Sequence, residues 1–101
     1  MDNGMIGRYV IVRCKDAGVH AGELVAHEGR EAVIKDSRRL WRWMPAGGLK
    51  FLSGVATAGL VAKDSKIGHV LERLHLTETC EIIQCSPTAE KSIRETPDDR
   101  R

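Results

Sequence analysis

The feature that most constrains the fold is a series of β-branched segments separated by glycine-containing turns in the first half of the chain. Residues 8–14, RYVIVRC, are apolar on both alternating faces and therefore predict a central strand. Residues 17–29 contain a second predicted strand, in which Gly22 indicates a bulge or the close approach of another backbone. Residues 30–36 follow a short turn and predict a third strand. Together these segments predict an antiparallel meander.

Residues 38–43 predict a further extended segment, because tryptophan-rich alternation suits strands and Pro45 would stop a helix at once. A helical turn capped by Asp36 or Ser37 is the alternative. A regular strand here places two sets of side chains on opposite faces: Arg39, Trp41 and Trp43 against Arg38, Leu40 and Arg42.

The second half of the chain predicts the elements that cover this sheet. Apolar and small residues at helical spacing predict a helix over 49–60, followed by a solvated loop over 62–68. Residues 69–76 and 78–85 predict two more strands, and Ser86 caps a final helix that ends before Pro97. The expected fold class is α+β: an antiparallel sheet of about five strands with one or two helices on one face.

Length and composition limit the classes of protein that fit. The 101 residues predict one small α+β domain over 1–101, in which 1–7 and 97–101 are flexible. No segment approaches the ~20 apolar residues that cross a bilayer, and no signal-peptide core is present, so a cytoplasmic protein with no membrane partner is expected.

Cysteine and histidine spacing gives no support for a metal site or a disulfide framework. Three cysteines are an odd number and predict free, inert thiols, and the four scattered histidines match no zinc pattern. No enzyme motif is visible either. We therefore expect no metal, no cofactor and no catalytic residues.

Basic and aromatic residues are concentrated in one segment of the chain. Residues 1–50 hold nine Lys/Arg against six Asp/Glu, whereas residues 51–101 hold seven against eight. Both tryptophans lie among four basic residues between Lys35 and Trp43. Indole and guanidinium planes stack on bases, and guanidinium groups bind phosphate oxygens, so this segment is a candidate ligand surface. The alternative is that both tryptophans are core residues and the arginines are simply solvated.

A second candidate is the segment Ala17–Gly22, where two glycines flank His20. Small residues expose backbone N–H groups, which bind anions, although a bulged turn explains the same pattern. The candidate ligand-binding residues are therefore Arg38, Arg39, Trp41, Arg42, Trp43 and His20.

The order of these motifs resembles a small bacteriophage protein family with an AGVxxGEL…RRLWxW pattern, and the resemblance covers about residues 8–95. This chain has Arg42 between the tryptophans and lacks an aromatic ending that the resemblance leads us to expect. The resemblance implies a phage accessory protein in the cytoplasm of a bacterial host. Such proteins include inhibitors of host defence, among them homo-oligomeric sponges that sequester cyclic nucleotides, such as the Thoeris anti-defence proteins.

Two hypotheses of different classes follow. The first is a non-enzymatic counter-defence protein that binds a cyclic or other anionic nucleotide through the Trp/Arg segment and assembles as a homo-oligomer. The alternative is a protein–protein module: an inhibitor of a host defence protein or CRISPR effector, or a virion accessory component. Nucleic-acid binding is a third, weaker hypothesis, because the basic stripe is short and the C-terminal half is mildly acidic.

Overall fold

The computed structural model of the protein describes residues 4–98. Its strands are β1 (Tyr9–Cys14), β2 (Val19–Glu28), β3 (Glu31–Arg42), β4 (Lys66–Ile67), β5 (Leu71–Leu76) and β6 (Thr79–Gln84). Two α-helices, α1 (Phe51–Ala58) and α2 (Pro87–Glu95), complete the fold, with a short 3-10 turn at Ala62–Asp64. The α+β class, an antiparallel sheet with helices, is therefore confirmed.

The sheet has the order β4-β3-β2-β1-β6, and β5 pairs with the other half of the same edge of β3. From β5 to β6 the sheet is five strands wide, which amounts to about 19 Å at about 4.8 Å per strand. However, only two residues separate Leu76 from Thr79, so these Cα atoms lie at most about 11 Å apart. The sheet must therefore curl until its two edges approach each other at this corner.

Curling gives the sheet a concave and a convex face, each with its own apolar cluster. The concave cluster holds Val10, Val12, Cys14, Leu24, Ala32, Ile34 and Leu76, with Leu74, Ile82 and Met5 packed against it. The convex cluster joins residues such as Ile11, Ala21 and Leu40 to the helices through Leu52, Val55, Ala89 and Ile93. Both helices therefore pack on the convex face.

A bulge between β2 and β3 sets the direction of every side chain beyond it. Ala21 pairs with Arg38 and Glu23 pairs with Lys35, so Gly22 alone faces both Asp36 and Ser37. Asp36 has a positive φ of 50°, as an extra residue in a strand often has. A Cβ at position 22 would lie 2.9 Å from the Lys35 carbonyl oxygen. Gly22 was predicted to mark a bulge or the close approach of another backbone, and both are found here.

The helices begin and end for local reasons. In α2 the Ser86 Oγ accepts a hydrogen bond from the Ala89 N–H at 3.0 Å, and Pro87 occupies the first turn, as predicted. The helix α1 ends at Gly59, whose φ is 87° and whose N–H donates to the Val55 carbonyl at 2.8 Å. It is shorter than the predicted 49–60, because Phe51, its first residue, has a φ of 65°.

The structure corrects the sequence-based outline in three places. The third strand and the tryptophan segment are one continuous strand, β3, because the bulge at Asp36 bends the strand without ending its pairing. The predicted loop over 62–68 contains β4, which pairs with the end of β3. Met5, in the predicted flexible leader, packs against the concave cluster, whereas positions 1–3 and 99–101 lie outside the described residues.

Replacing Gly22 by alanine should destabilise the protein by about 1–3 kcal/mol, because the new Cβ would meet backbone atoms that cannot move aside. Gly68→Ala is the matched control: its Cβ would have ordinary contacts, the nearest at 3.7 Å. Urea unfolding followed by circular dichroism measures both. Equal stability of the two variants would contradict the assignment of Gly22 as a residue that the bulge requires.

Candidate functional site

The strand pairing places His20 and Arg39 on the concave face, next to the apolar concave cluster but not part of it. Val12 belongs to the concave cluster and pairs with His20, and His20 in turn pairs with Arg39. Residues that pair directly in an antiparallel sheet point to the same face. The row therefore runs from the buried Val12 through the buried His20 to the exposed Arg39.

An irregularity between β3 and β4, at Trp41, brings two more cations to this face. Leu40 pairs with Ile67, and both side chains lie in the convex cluster. The next pair is Arg42 with Lys66, so Trp41 is an extra residue in β3. Because Lys66 is adjacent to Ile67, it points the opposite way, and its partner Arg42 does the same. Arg42 and Lys66 thus join Arg39 on the concave side.

The same irregularity separates the two tryptophans. Trp43 follows Arg42 and packs, half-buried, against the convex cluster. Trp41 is 68% exposed. The regular alternation that predicted both indoles on one face does not apply, since the extra residue reverses the side-chain direction after Trp41.

Arg39 and Trp41 form a stacked pair at this surface. The Arg39 guanidinium carbon lies 5.1 Å from the centroid of the Trp41 ring, within the range of a cation–π contact. The guanidinium is also close to Gly18, where a Cβ would lie only 3.0 Å from Arg39 Nη2. Gly18, with a φ of 84°, thus leaves room for the arginine, whose guanidinium is near both the turn and the indole.

We refer to Arg39, Trp41, Arg42 and Lys66 as the Trp41 face. Within residues 4–98, none of its three cations lies within ion-pair distance of a carboxylate. Some cations elsewhere do have acidic partners: Arg13 pairs with Glu81 at 2.8 Å, and Arg94 pairs with Glu90 at 2.8 Å. The Trp41 face is therefore a surface of uncompensated positive charge around an exposed indole.

His20 is buried beneath the Trp41 face and contacts the β1–β2 turn. Its side chain is buried, at 8% exposure, and its Nε2 lies 2.8 Å from the carbonyl oxygen of Ala17 in the β1–β2 turn. Burial lowers the pKa of His20, the hydrogen bond to Ala17 opposes this shift, and the nearby Arg39 charge adds to it. A neutral imidazole that donates from Nε2 therefore anchors the turn that carries Gly18.

Arg38 lies on the other side of the sheet and has a different role. It is only 4% exposed. Its Nη1 donates to the carbonyls of Ile93 at 2.8 Å and Thr96 at 2.6 Å, and its Nε donates to the Gly68 carbonyl at 2.8 Å. The guanidinium thus caps the C-terminal end of α2, where a positive charge is favourable, and joins it to the β4–β5 connection.

The structure brings together three of the six predicted site residues at one accessible surface: Arg39, Trp41 and Arg42. His20 lies beneath it, whereas Arg38 and Trp43 belong to the convex side. Lys66 was missed, because a two-residue strand within a polar segment has no detectable periodicity. Gly22, one of the two glycines that suggested exposed N–H groups, is buried against β3.

Three grooves lie elsewhere on the surface, with volumes of about 260, 240 and 360 Å³. They lie around His27, Glu31 and His75, around Tyr9, Glu90 and Arg94, and around Arg30, Cys80 and Glu81. Among residues 4–98 no group of three or more potential ligands could hold a metal ion. All three cysteines are free. Cys14 and Cys85 are buried, which supports the expectation of inert thiols, whereas Cys80 is exposed and burial does not protect it.

The fold and site together define a small, curled antiparallel sheet whose convex face carries two helices and whose concave face ends in a basic, indole-bearing surface. The model of a domain of unknown function, DUF6948, matches residues 7–93, and the chain belongs to this family. No curated protein and no solved structure matches the chain. None of the helices between residues 4 and 98 is long and apolar enough to span a membrane.

Replacing Arg38 by alanine should lower the free energy of unfolding by about 2–4 kcal/mol, because buried carbonyls of α2 and Gly68 lose their donors. Arg38→Lys should recover only part of this loss, since one ammonium cannot reach both groups of carbonyls. Arg42→Ala, at an exposed position, is the control and should change stability by less than about 0.5 kcal/mol. Similar urea midpoints for all three variants would contradict the capping role.

Lowering the pH should destabilise the protein through His20. Its pKa is lower in the folded than in the unfolded chain, so its contribution is complete above the unfolded value of about 6.5 and declines as the pH falls through it. Between pH 7.5 and 5.5, the free energy of unfolding should fall more steeply for the wild type than for His20→Gln. His69→Gln, which removes an exposed histidine, should retain the wild-type slope. Parallel slopes for His20→Gln and the wild type would refute this linkage.

Proposed function

We propose that the protein binds, without chemically transforming it, an anionic ligand that carries an aromatic ring, most simply a nucleotide, on the Trp41 face. One observation carries the proposal: an exposed indole stacked against an arginine that has no carboxylate partner among residues 4–98. An indole in this position offers a planar apolar surface for a base. The adjacent guanidinium offers hydrogen-bond donors for phosphate oxygens.

Energetic considerations favour a ring and an anion in the same ligand. Stacking a base on an aromatic side chain contributes ~1–3 kcal/mol, which alone gives only weak binding. Arg39, Arg42 and Lys66 add attraction for phosphate, and no internal ion pair with residues 4–98 has to be broken first. The contact of Arg39 with Gly18 and Trp41 also restricts its side chain before a ligand arrives, which reduces the entropy lost on binding.

The biological context that we propose follows from the resemblance to small phage proteins. A nucleotide-binding surface without a catalytic site would suit a counter-defence protein that sequesters a nucleotide signal in the cytoplasm of a bacterial host. The free edges of β5 and β6 are compatible with the homo-oligomers that such sponges form.

A protein partner is the second candidate, because a specific feature favours it. The segment 44–51 exposes Met44, Leu49 and Phe51, and Phe51 is 81% exposed with a φ of 65°. A strained, exposed aromatic residue is costly for folding alone and is typical of a residue that anchors a partner. In this hypothesis the loop contacts a host defence protein directly.

Replacing Trp41 by alanine should weaken nucleotide binding by ~1–3 kcal/mol through the loss of stacking, with less than about 0.5 kcal/mol change in stability, since the indole is largely exposed. Fluorescence anisotropy measures the affinity for three fluorescein-labelled probes: adenosine triphosphate, cyclic di-adenosine monophosphate and a dodecamer of deoxythymidine. Phe51→Ala is the matched control, because it removes an exposed aromatic ring outside the Trp41 face and should retain full affinity.

A second measurement uses the two tryptophans. In Trp43→Phe the sole remaining indole is Trp41, so ligand binding should quench its fluorescence. If none of the three probes binds, or if Trp41→Ala binds them as tightly as the wild type, the proposed function is wrong. Loss of affinity in Phe51→Ala together with unchanged Trp41→Ala would instead favour the segment 44–51 as the contact.

A further inference from the structure

We propose that the ligand of the Trp41 face is single-stranded nucleic acid, and that the face contacts more than one of its nucleotides at once. This inference rests on the proposed function and specifies the ligand class. It depends on how the three cations are arranged around the indole, on the openness of the surface, and on the geometry that stacking requires.

The cations lie on both sides of Trp41 along β3 and on the neighbouring strand β4. Arg39 and Arg42 flank Trp41 in β3, and their Cα atoms are separated by at most about 10 Å at 3.3 Å per residue, because the extra residue at Trp41 shortens the regular spacing. Lys66 pairs with Arg42 on the neighbouring strand, about 4.8 Å further across the sheet. A site for one phosphate group would gather its donors around a single position. Charges that extend along β3 and across to β4 fit successive phosphates of a chain.

The surface around Trp41 is open. Sites for small molecules bury most of their ligand between concave walls, whereas Trp41 is 68% exposed. An open stacking platform with an adjacent track of cations is the arrangement by which proteins bind single strands without sequence preference.

Stacking also distinguishes single strands from duplexes. In a duplex each base is already stacked between its neighbours and paired with the opposite strand, so the Trp41 indole has no free base plane to cover. An unpaired strand presents that plane at every nucleotide. The duplex should therefore bind through phosphate contacts alone, more weakly than a single strand of the same length, and with little dependence on Trp41.

The test compares labelled dodecamer deoxythymidine with labelled adenosine triphosphate and with a twelve-base-pair duplex, by fluorescence anisotropy over a range of salt concentrations. The dodecamer should bind at least about tenfold more tightly than adenosine triphosphate at low salt. The slope of log K against log salt should be about −2 for three phosphate contacts at ~0.7 each, and Trp41→Ala should reduce dodecamer affinity about ten- to a hundredfold.

Variants that each remove one positive charge test whether Arg39, Arg42 and Lys66 contact the phosphates. Arg39→Ala, Arg42→Ala and Lys66→Ala should each reduce the magnitude of the slope by about 0.7. Arg30→Ala, at the opposite end of β3, and Lys91→Ala, on α2, remove equal charge elsewhere and should leave the slope unchanged.

The outcomes separate this inference from the proposed function. If adenosine triphosphate or the cyclic dinucleotide binds through Trp41 as tightly as the dodecamer, the proposed function stands and the single-strand inference is wrong. Equal affinity for the duplex and the dodecamer, or equal loss of slope in the control and face variants, also overturns the inference. Failure of every probe to bind overturns both.

Discussion

The pairing of β2 with β3 is the constraint on which the rest of the structure depends. Gly22 facing two residues of β3 shifts the strand by one position, so that Ile34 points into the concave cluster while Leu40 points into the convex one. Without this shift the apolar residues at the two ends of β3 would compete for one face, and α1 and α2 would lose part of the surface on which they pack. A second extra residue, Trp41, reverses the direction again.

These two changes of side-chain direction place neighbouring residues of β3 on opposite faces of the sheet, where they have different roles. Arg38 enters the convex side and caps α2, whereas Arg39, the next residue, stacks on an exposed indole at the concave side. Trp43 contributes to packing, whereas Trp41 contributes almost nothing to the core. The segment was interpreted either as a ligand surface or as part of the core. Each interpretation applies to some of its residues: Arg38 and Trp43 stabilise the fold, whereas Arg39 and Trp41 form an exposed surface.

The electrostatic organisation of the molecule gives the surface its character. Several cations on the sheet and on α2 have acidic partners, but those of the Trp41 face have none among residues 4–98. A net charge of +2 conceals this unevenness, since what matters to a ligand is the local field. The proposed binding of a nucleotide, and of a single strand in particular, draws on this local excess together with the stacking platform.

The sequence by itself determined the α+β class, the strands β1 and β2, the cap of α2 at Ser86, and Gly22 as a site of either a bulge or a close backbone approach, because each is indicated by residues close together in the chain. It also located the segment that carries the candidate site. Only the tertiary structure decided which of those residues are accessible, since side-chain direction depends on register with strands that lie far away in sequence. Lys66 joins the face through its pairing with Arg42, and Arg38 leaves it because the carbonyls at the end of α2 need its donors. Alternation along a single strand cannot reveal either fact, because one extra residue in the pairing reverses every side chain that follows.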